Sequence, residues 1–145
     1  MNVAVIDRLV TLHGEDGAVP TRPEWSAILA MPEAPIFILN LLAFAPNGGA
    51  QAYQHYIQGV GPAFERAGGE QVFYGPAALA FGMNADGAWD AAILTRYPSP
   101  GALAQMWLDP DFVQAHKSRE DGLTRSQVVV IDAAKAQAPN PKGNL

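Results

Sequence analysis

The chain has 145 residues, of which 49% are hydrophobic and 16% charged, so it has the length and composition of one globular domain with its own core. Its net charge of −5 and scattered basic residues exclude a nucleic-acid-binding surface, which needs clustered lysine and arginine. The absence of cysteine excludes disulfides, thiolate catalysis and cysteine-bound metal sites.

The N-terminal segment argues against export and against insertion into a membrane. Asp7 and Arg8 stand where a signal peptide would need its apolar region. The longest apolar stretch, residues 34–46, is far shorter than the ~20 residues that a membrane helix needs. We therefore expect a cytoplasmic protein whose partners include neither a membrane nor a nucleic acid.

Residues 1–34 are predicted to form an N-terminal helical extension. Apolar residues recur at helical spacing over 2–13, and Gly14 is placed to end that helix. Thr21 and Glu24 have the spacing of a capping box, in which each side chain accepts a hydrogen bond from the backbone of the other, so a second helix begins there.

The middle of the chain predicts a buried strand, a helix and a hairpin. Residues 36–45 are short and almost wholly apolar, as in a buried strand, and residues 50–67 carry an apolar stripe at helical spacing. Residues 70–83 hold one or two strands, EQVFYG and ALAFGM. The turn NADG, 84–87, then leads into a strand over 88–97, which predicts a hairpin.

The last third of the chain predicts two short helices and a final strand. Ser99-Pro100 and Asp109-Pro110 each combine a capping side chain with a proline in the first turn, and LTRSQVVVID, 123–132, reads as a strand. Residues 134–145 have no pattern and are expected to be a disordered tail. The order β-α-β-β-α-α-β over 35–133 predicts an α+β, ferredoxin-like sandwich with an antiparallel sheet.

Such a sheet covers one face with its helices, and the strands here are apolar on both faces. The open face must then be covered as well, and a second copy of the chain is the simplest cover. The sequence therefore predicts a homodimer.

Several sequence features follow one another along the chain in a characteristic order. They are the stretches PIFILNLLAFA and WDAAILTRYPSP, the pair Gly68-Gly69 and three spaced motifs. The motifs are Tyr53-x-x-Tyr56, the Met106…Asp109-Pro110…Phe112 run and Arg119-x-x-x-Leu123. Over residues 34–132 this order resembles the domain-of-unknown-function family 1330 (DUF1330) of the dimeric α/β-barrel superfamily.

That resemblance implies two sheets paired face to face in a dimer, with a cleft between each sheet and its helices. Related families include cofactor-independent monooxygenases, haem degraders, muconolactone isomerase-like enzymes and amino-acid-sensing modules. The resemblance thus permits an enzyme without requiring one.

Asp90 and Arg96 are unexpected charges in the apolar stretch 89–100. With a two-residue period they share a face, but six residues of extended chain span about 20 Å, so they cannot pair with each other. One interpretation is that Arg96 grips a carboxylate or enolate in the cleft, with Asp90 as partner or base. The alternative is that both charges serve a strand end or the dimer interface.

Asn40, Tyr53 and Tyr56 are further candidates for ligand binding. Asn40 is the one polar side chain of strand 36–45, where it could bind a ligand or tie the sheet to a loop. The two tyrosines could line the cleft and donate hydrogen bonds from their phenol groups. Tyrosines at this spacing are more often core residues whose hydroxyl groups reach solvent.

His116 is the candidate catalytic residue. The histidines have no metal-binding spacing, but His116 shares a predicted helix side with Glu120 and could act as a polarised general base, with Arg119 nearby as a ligand-binding residue. A surface ion pair of His116 and Glu120 is the simpler interpretation.

Three functions follow as hypotheses. The first is a homodimer that binds a small organic molecule in the cleft through Asn40, Arg96 and His116. In this hypothesis the protein could also act as a cofactor-independent enzyme on an activated carbon acid. The second is a non-catalytic binding or sensing module, and the third is a structural interaction protein. We expect no metal and no cofactor in any of them.

Overall fold

A computed structural model describes residues 2–83 and 87–135. Its sheet is antiparallel throughout and has the strand order β2-β3-β1-β4. The strands are β1 (Ile36–Phe44), β2 (Glu70–Pro76), β3 (Ala91–Tyr97) and β4 (Leu123–Asp132). The α-helices are α1 (Asn2–His13), α2 (Arg22–Leu29), α3 (Gly49–Arg66), α4 (Pro100–Leu108) and α5 (Pro110–His116), and short 3-10 turns cover Glu120–Gly122 and Ala133–Lys135.

The predicted α+β, ferredoxin-like fold is confirmed by this order of elements. The predicted helix starts are also present, because Thr21 and Glu24 form the capping box of α2. Ser99 caps α4 through the amide of Ala102, and Asp109 caps α5. None of the helices in the described ranges is both long and apolar enough to cross a membrane.

The central strand β1 separates two apolar faces of the sheet. Ile36, Ile38 and Leu42 are buried on the face that the helices cover, whereas Phe37, Leu39 and Leu41 point to the opposite, open face and are half-buried. β3 follows the same alternation, with Ala91, Ile93 and Tyr97 on the helical side.

The N-terminal helices share the core of the ferredoxin-like unit. Ile6 and Leu9 of α1 and Trp25 and Ile28 of α2 are buried in the same hydrophobic cluster as the strands and the later helices. The ring of Trp25 meets that of Trp107 in α4 edge to face, with centroids 5.4 Å apart. The extension is therefore part of the packed domain.

The hairpin of β2 and β3 is present, but its first strand is shorter than ALAFGM would make it. Pro76, the last residue of β2, pairs with Ala91, the first residue of β3. Residues 77–83 therefore have no β3 residue to pair with. Of the predicted turn NADG, residues 84–86 lie outside the described residues, as do residues 136–145 of the predicted tail.

Two glycines let the turn Glu120–Gly122 press against the start of α3. A Cβ atom built on Gly122 would lie 2.8 Å from the carbonyl oxygen of Gly49 and 2.9 Å from the backbone nitrogen of Tyr53. The Gly122 carbonyl also accepts a hydrogen bond from Ala45, at 2.9 Å. This backbone contact fixes the turn that follows Arg119.

We expect Gly122→Ala to destabilise the fold by roughly 2 kcal/mol, because the new methyl group would overlap backbone atoms that cannot turn aside. The control is Gly75→Ala within β2, where no atom outside the neighbouring residues lies within 4 Å of the added Cβ, and where the following Pro76 favours the extended backbone of the strand. That change should stabilise the protein by up to about 1 kcal/mol. Urea unfolding of both variants measures the difference, and equal effects would contradict the close contact.

Candidate functional site

A partly open cavity of about 90 Å³ lies between the sheet and the helices. Ile38, Val128 and Val130 form its floor, and Trp107 and Phe112 stand among the aromatic residues of its wall. Four polar side chains also line it: Asn40, Tyr56, Tyr97 and Arg119. The cavity therefore combines an apolar, largely aromatic wall with a few convergent polar groups, which is the usual character of a small-molecule site.

Asn40 reaches the cavity because of its position on β1. It lies two residues after Ile38, so it shares the helix-facing side of the strand, and it stands between Ile93 of β3 and Val128 of β4. The sequence predicted Asn40 as a candidate for ligand binding, and the structure places it on the floor of the cleft.

Arg119 is the one charged residue among the described residues that line this cavity. It is only 4% exposed, and its Nη1 atom has no hydrogen-bond partner. None of the ion pairs among residues 2–83 and 87–135 involves Arg119. Its guanidinium carbon lies 6.0 Å from the centre of the Tyr56 ring, and its hydrogen bonding to the Tyr53 and Tyr56 phenols acts to lower their pKa values. A buried cation without a counterion is costly, so an acceptor placed in the cavity would be bound strongly.

The tyrosines around Arg119 are held in the protonated form. Burial raises the pKa of Tyr56 to about 12, against the lowering effect of the nearby Arg119 cation. Burial likewise raises the pKa of Tyr97 to about 12. Both phenols can therefore donate a hydrogen bond to a ligand across the physiological pH range.

Tyr53 does not line the cavity, although it supports Tyr56. The two rings lie 5.3 Å apart, and Tyr53 also contacts Phe44 at 5.8 Å. Burial and the neighbouring Tyr56 raise the pKa of Tyr53 well above its usual range. Of the predicted pair of tyrosines, Tyr56 is thus the one at the cavity.

His116 lies in an aromatic cluster behind the cavity wall. Its ring stacks on Phe112, with centroids 5.1 Å apart, and lies 4.9 Å from Trp107 and 5.3 Å from His13. Both ring nitrogens are buried without a hydrogen-bond partner. Burial lowers the pKa of His116 to about 4, and electrostatic interaction with the neighbouring Arg119 and His13 lowers it further. The imidazole is therefore neutral at pH 7.

The predicted pairing of His116 with Glu120 is not formed. α5 ends at His116, and Glu120 begins the next turn as an exposed residue, so four residues of spacing no longer place both on one helix side. No carboxylate polarises the imidazole in the described part of the chain. The general-base arrangement expected from the spacing is thus corrected.

Arg96 and Asp90 are not in the cleft. Arg96 points to the open face of the sheet, as the two-residue period of β3 requires, and its guanidinium lies 3.8 Å from the Glu70 carboxylate on β2. Asp90 precedes β3, and its carboxylate accepts a hydrogen bond from the amide of Phe44 at 2.8 Å. The interpretation of Arg96 as a cleft arginine, with Asp90 as its partner or base, is therefore wrong.

Sequence reasoning missed two groups of residues at the cavity. Tyr97 lies on the same face of β3 as the buried Ile93, so the two-residue period of the strand could have predicted Tyr97 on the helical side of the sheet. The contribution of the N-terminal segment, through Ala18, Pro20 and Trp25, depends on long-range packing that local patterns do not encode. Trp107 could be predicted as buried in α4, but not as a wall of the cavity.

The buried imidazole of His116 predicts an acid-sensitive fold. Its folded pKa of about 4 lies below the ordinary value of 6.5, so the unfolded chain binds more protons between these pH values and stability falls as the pH is lowered through them. We expect a loss of about 2 kcal/mol from this group between pH 7 and pH 4.5. Urea unfolding at several pH values measures it.

His116→Phe should remove that part of the pH dependence, since phenylalanine has a similar shape and no proton to bind. His55→Gln is the matched control, because His55 is exposed on α3 and its replacement should leave the pH dependence as it is. Identical pH profiles for the wild type and His116→Phe would contradict the neutral, buried imidazole.

Comparison with known proteins gives a family but no activity. The family model described as "Domain of unknown function (DUF1330)" matches residues 48–134. No curated protein matches the chain.

Solved structures extend the similarity beyond the residues that the family model matches. RPA0582 of Rhodopseudomonas palustris, a protein of unknown function, is 31% identical over 81% of this chain and 97% of its own, with a TM-score of 0.72. Its methylated form aligns over 88% of this chain and 98% of its own, at 28% identity and a TM-score of 0.74. At3g17210 of Arabidopsis thaliana, 12% identical over 72% of this chain and 98% of its own, has a TM-score of 0.51 and shares the fold alone.

The alignment with methylated RPA0582 leaves out fewer residues than the N-terminal helical extension contains. The similarity to RPA0582 therefore includes part of that extension. The family match, covering more than half of the chain, agrees with the resemblance in the order of the sequence motifs. The chain belongs to the domain-of-unknown-function family DUF1330.

Proposed function

We propose that this protein binds a small organic molecule in the cavity between its sheet and its helices. The observation that carries the proposal is Arg119, a guanidinium that is 4% exposed, has an unpartnered Nη1 atom and lines the cavity together with Asn40 and Tyr56. A buried, unsatisfied donor costs roughly 1–3 kcal/mol or more when it is charged. A ligand with an acceptor at this place would recover that energy.

Binding is better supported than catalysis. The cavity holds hydrogen-bond donors in Arg119 and Tyr56, and the same pair would stabilise the enolate of an activated carbon acid, which keeps a cofactor-independent enzyme as the second candidate. That reaction also needs a proton acceptor whose pKa is near the working pH. His116, with a pKa of about 4 and a place behind the wall, is poorly suited to this task.

Two valines allow a matched test of the cavity. Val128 lines the cavity, whereas Val3 is an exposed residue of α1 and is not among the residues that line it. We expect a screen of small organic molecules by thermal shift to find ligands that stabilise the wild type and Val3→Phe. Val128→Phe should lose this stabilisation, because its ring would fill the cavity.

If both variants respond to the same ligands as the wild type, the binding site is elsewhere and the proposal is wrong. Product analysis of the bound ligand separates the second candidate from the first, since turnover would appear as a changed mass in the recovered ligand.

We propose further that the protein is a homodimer joined through the open face of the sheet. Phe37, Leu39 and Leu41 of β1 and Leu94 of β3 are half-buried there, and no described helix covers them. Phe73, Val129 and Ile131 extend this surface to both sheet edges and are exposed. A contiguous apolar surface of this kind usually marks an interface.

The segment 77–83 supports a second copy as the partner. Leu79, Phe81 and Met83 are 80%, 90% and 94% exposed, and they alternate along a chain that leaves the edge strand β2. Large apolar side chains held so fully in water are unfavourable in a monomer. A partner sheet packed on the open face would bring a surface of the same character within reach of them.

We expect the wild type to have twice the chain mass in light scattering and Leu94→Lys to have the mass of a single chain, because a lysine in the middle of the face cannot be desolvated cheaply. Val3→Lys is the control, since Val3 is an exposed apolar residue of α1 and should leave the dimer intact. Circular dichroism checks that both variants fold. A monomeric wild type would overturn the interface.

A further inference from the structure

We infer that the ligand is a monocarboxylate with an apolar tail, whose head binds Arg119 in the cavity and whose tail lies in a groove along β4. The inference rests on the proposed function and adds the chemical class of the ligand. It follows from three features: the unpaired charge in the cavity, the small volume around that charge, and the apolar groove that adjoins it.

The carboxylate head follows from the donors of the cavity. Arg119 offers an unpartnered Nη1 donor, and guanidinium groups bind carboxylates through charge-assisted hydrogen bonds. Tyr56 adds a phenol that stays protonated and donates. No carboxylate is found among the described residues that line the cavity, so nothing there would bind a cationic group on the head.

The tail follows from the size of the cavity. At about 90 Å³ it is smaller than the roughly 150 Å³ cavity that holds one benzene molecule in an engineered protein. A carboxylate with one or two carbon atoms fills it. Any longer ligand must leave through a neighbouring space.

That space is a groove of about 600 Å³ between β4 and the N-terminal segment. The cavity and the groove adjoin each other, because they share six lining residues: Ala18, Pro20, Ile28, Trp107, Val128 and Val130. Val19 and Ala27 continue the apolar lining outward. The side chain of Val128 is 45% exposed, so it offers apolar surface that a ligand tail could cover.

The groove also argues against a second carboxylate on the ligand. Within residues 2–83 and 87–135, Glu24 is the one charged residue that lines it. Its carboxylate accepts a hydrogen bond from the Thr21 amide at 2.9 Å in the capping box, and the backbone and side chain of Thr21 lower the pKa of Glu24. Glu24 is therefore ionised at pH 7 and repels a dicarboxylate.

Straight-chain carboxylates from acetate to octanoate, titrated into the full chain at pH 7 by calorimetry, test the inference, with the 1-alkanol of equal length beside each acid. The affinity should rise about fourfold for each methylene as the tail covers the groove. Each alkanol should bind at least about tenfold more weakly than its acid, because it lacks the charge-assisted bond to Arg119.

Two variants separate the head from the tail. Arg119→Met should remove the preference for acids over alkanols. If this variant does not fold, Arg119→Lys serves instead: it keeps the charge, so it should keep the preference for acids but bind them more weakly. Ala27→Trp should flatten the rise with chain length and leave the shortest acids unaffected, because Ala27 is exposed and lines only the groove.

The outcomes distinguish this inference from the proposed function. If alkanols bind as tightly as acids, and Arg119→Met changes nothing, the carboxylate head is wrong although the cavity binds ligands. If succinate binds better than butyrate, the apolar tail is wrong. If neither acids nor alkanols bind, and native mass spectrometry of freshly purified protein shows no retained molecule, both the inference and the proposed function fail.

Discussion

The two-residue alternation of β1 is the constraint on which the rest of the structure depends. β1 pairs with β3 on one side and β4 on the other, so its register passes to both neighbours. Ile36, Ile38, Asn40 and Leu42 face the helices, and the residues between them face outward. One face thereby becomes the floor of a cavity, and the other becomes an apolar surface without a helix on it. The alternation also decides the place of each charge, because Arg96 on β3 can only point outward.

The charge in the cavity consequently comes from the helical layer. Arg119 follows α5 and stands just before the turn Glu120–Gly122, which the close backbone contact with Gly49 holds against the start of α3. The turn positions the guanidinium beside Tyr56, among residues that offer it no carboxylate in the described parts of the chain. The neutral His116 on the other side of the wall packs as an aromatic ring. An acceptor that entered this cavity would therefore draw most of its binding energy from Arg119.

Most elements, caps and strand faces could be predicted from the sequence, because capping residues, glycines and apolar periods are local signals. Asn40, Tyr56 and Arg119 were predicted as candidates and do meet at one cavity. The errors have physical causes. The sequence left Arg96 open between the cleft and a strand end or the dimer interface, because the two-residue period does not say which face of β3 the helices cover. The His116–Glu120 pair assumed a helix that continues to Glu120, but α5 ends at His116. Ala18 and Pro20 line the cavity through packing between distant segments, which no local pattern shows.

A crystal structure of the freshly purified protein at pH 7 is the measurement that tests the central claim most directly. The account predicts a buried Arg119 guanidinium within hydrogen-bonding distance of an acceptor that does not belong to the protein, in a cavity bounded by Asn40 and Tyr56. Arg119 paired with a carboxylate of its own chain, or a cavity closed by protein side chains, would contradict it.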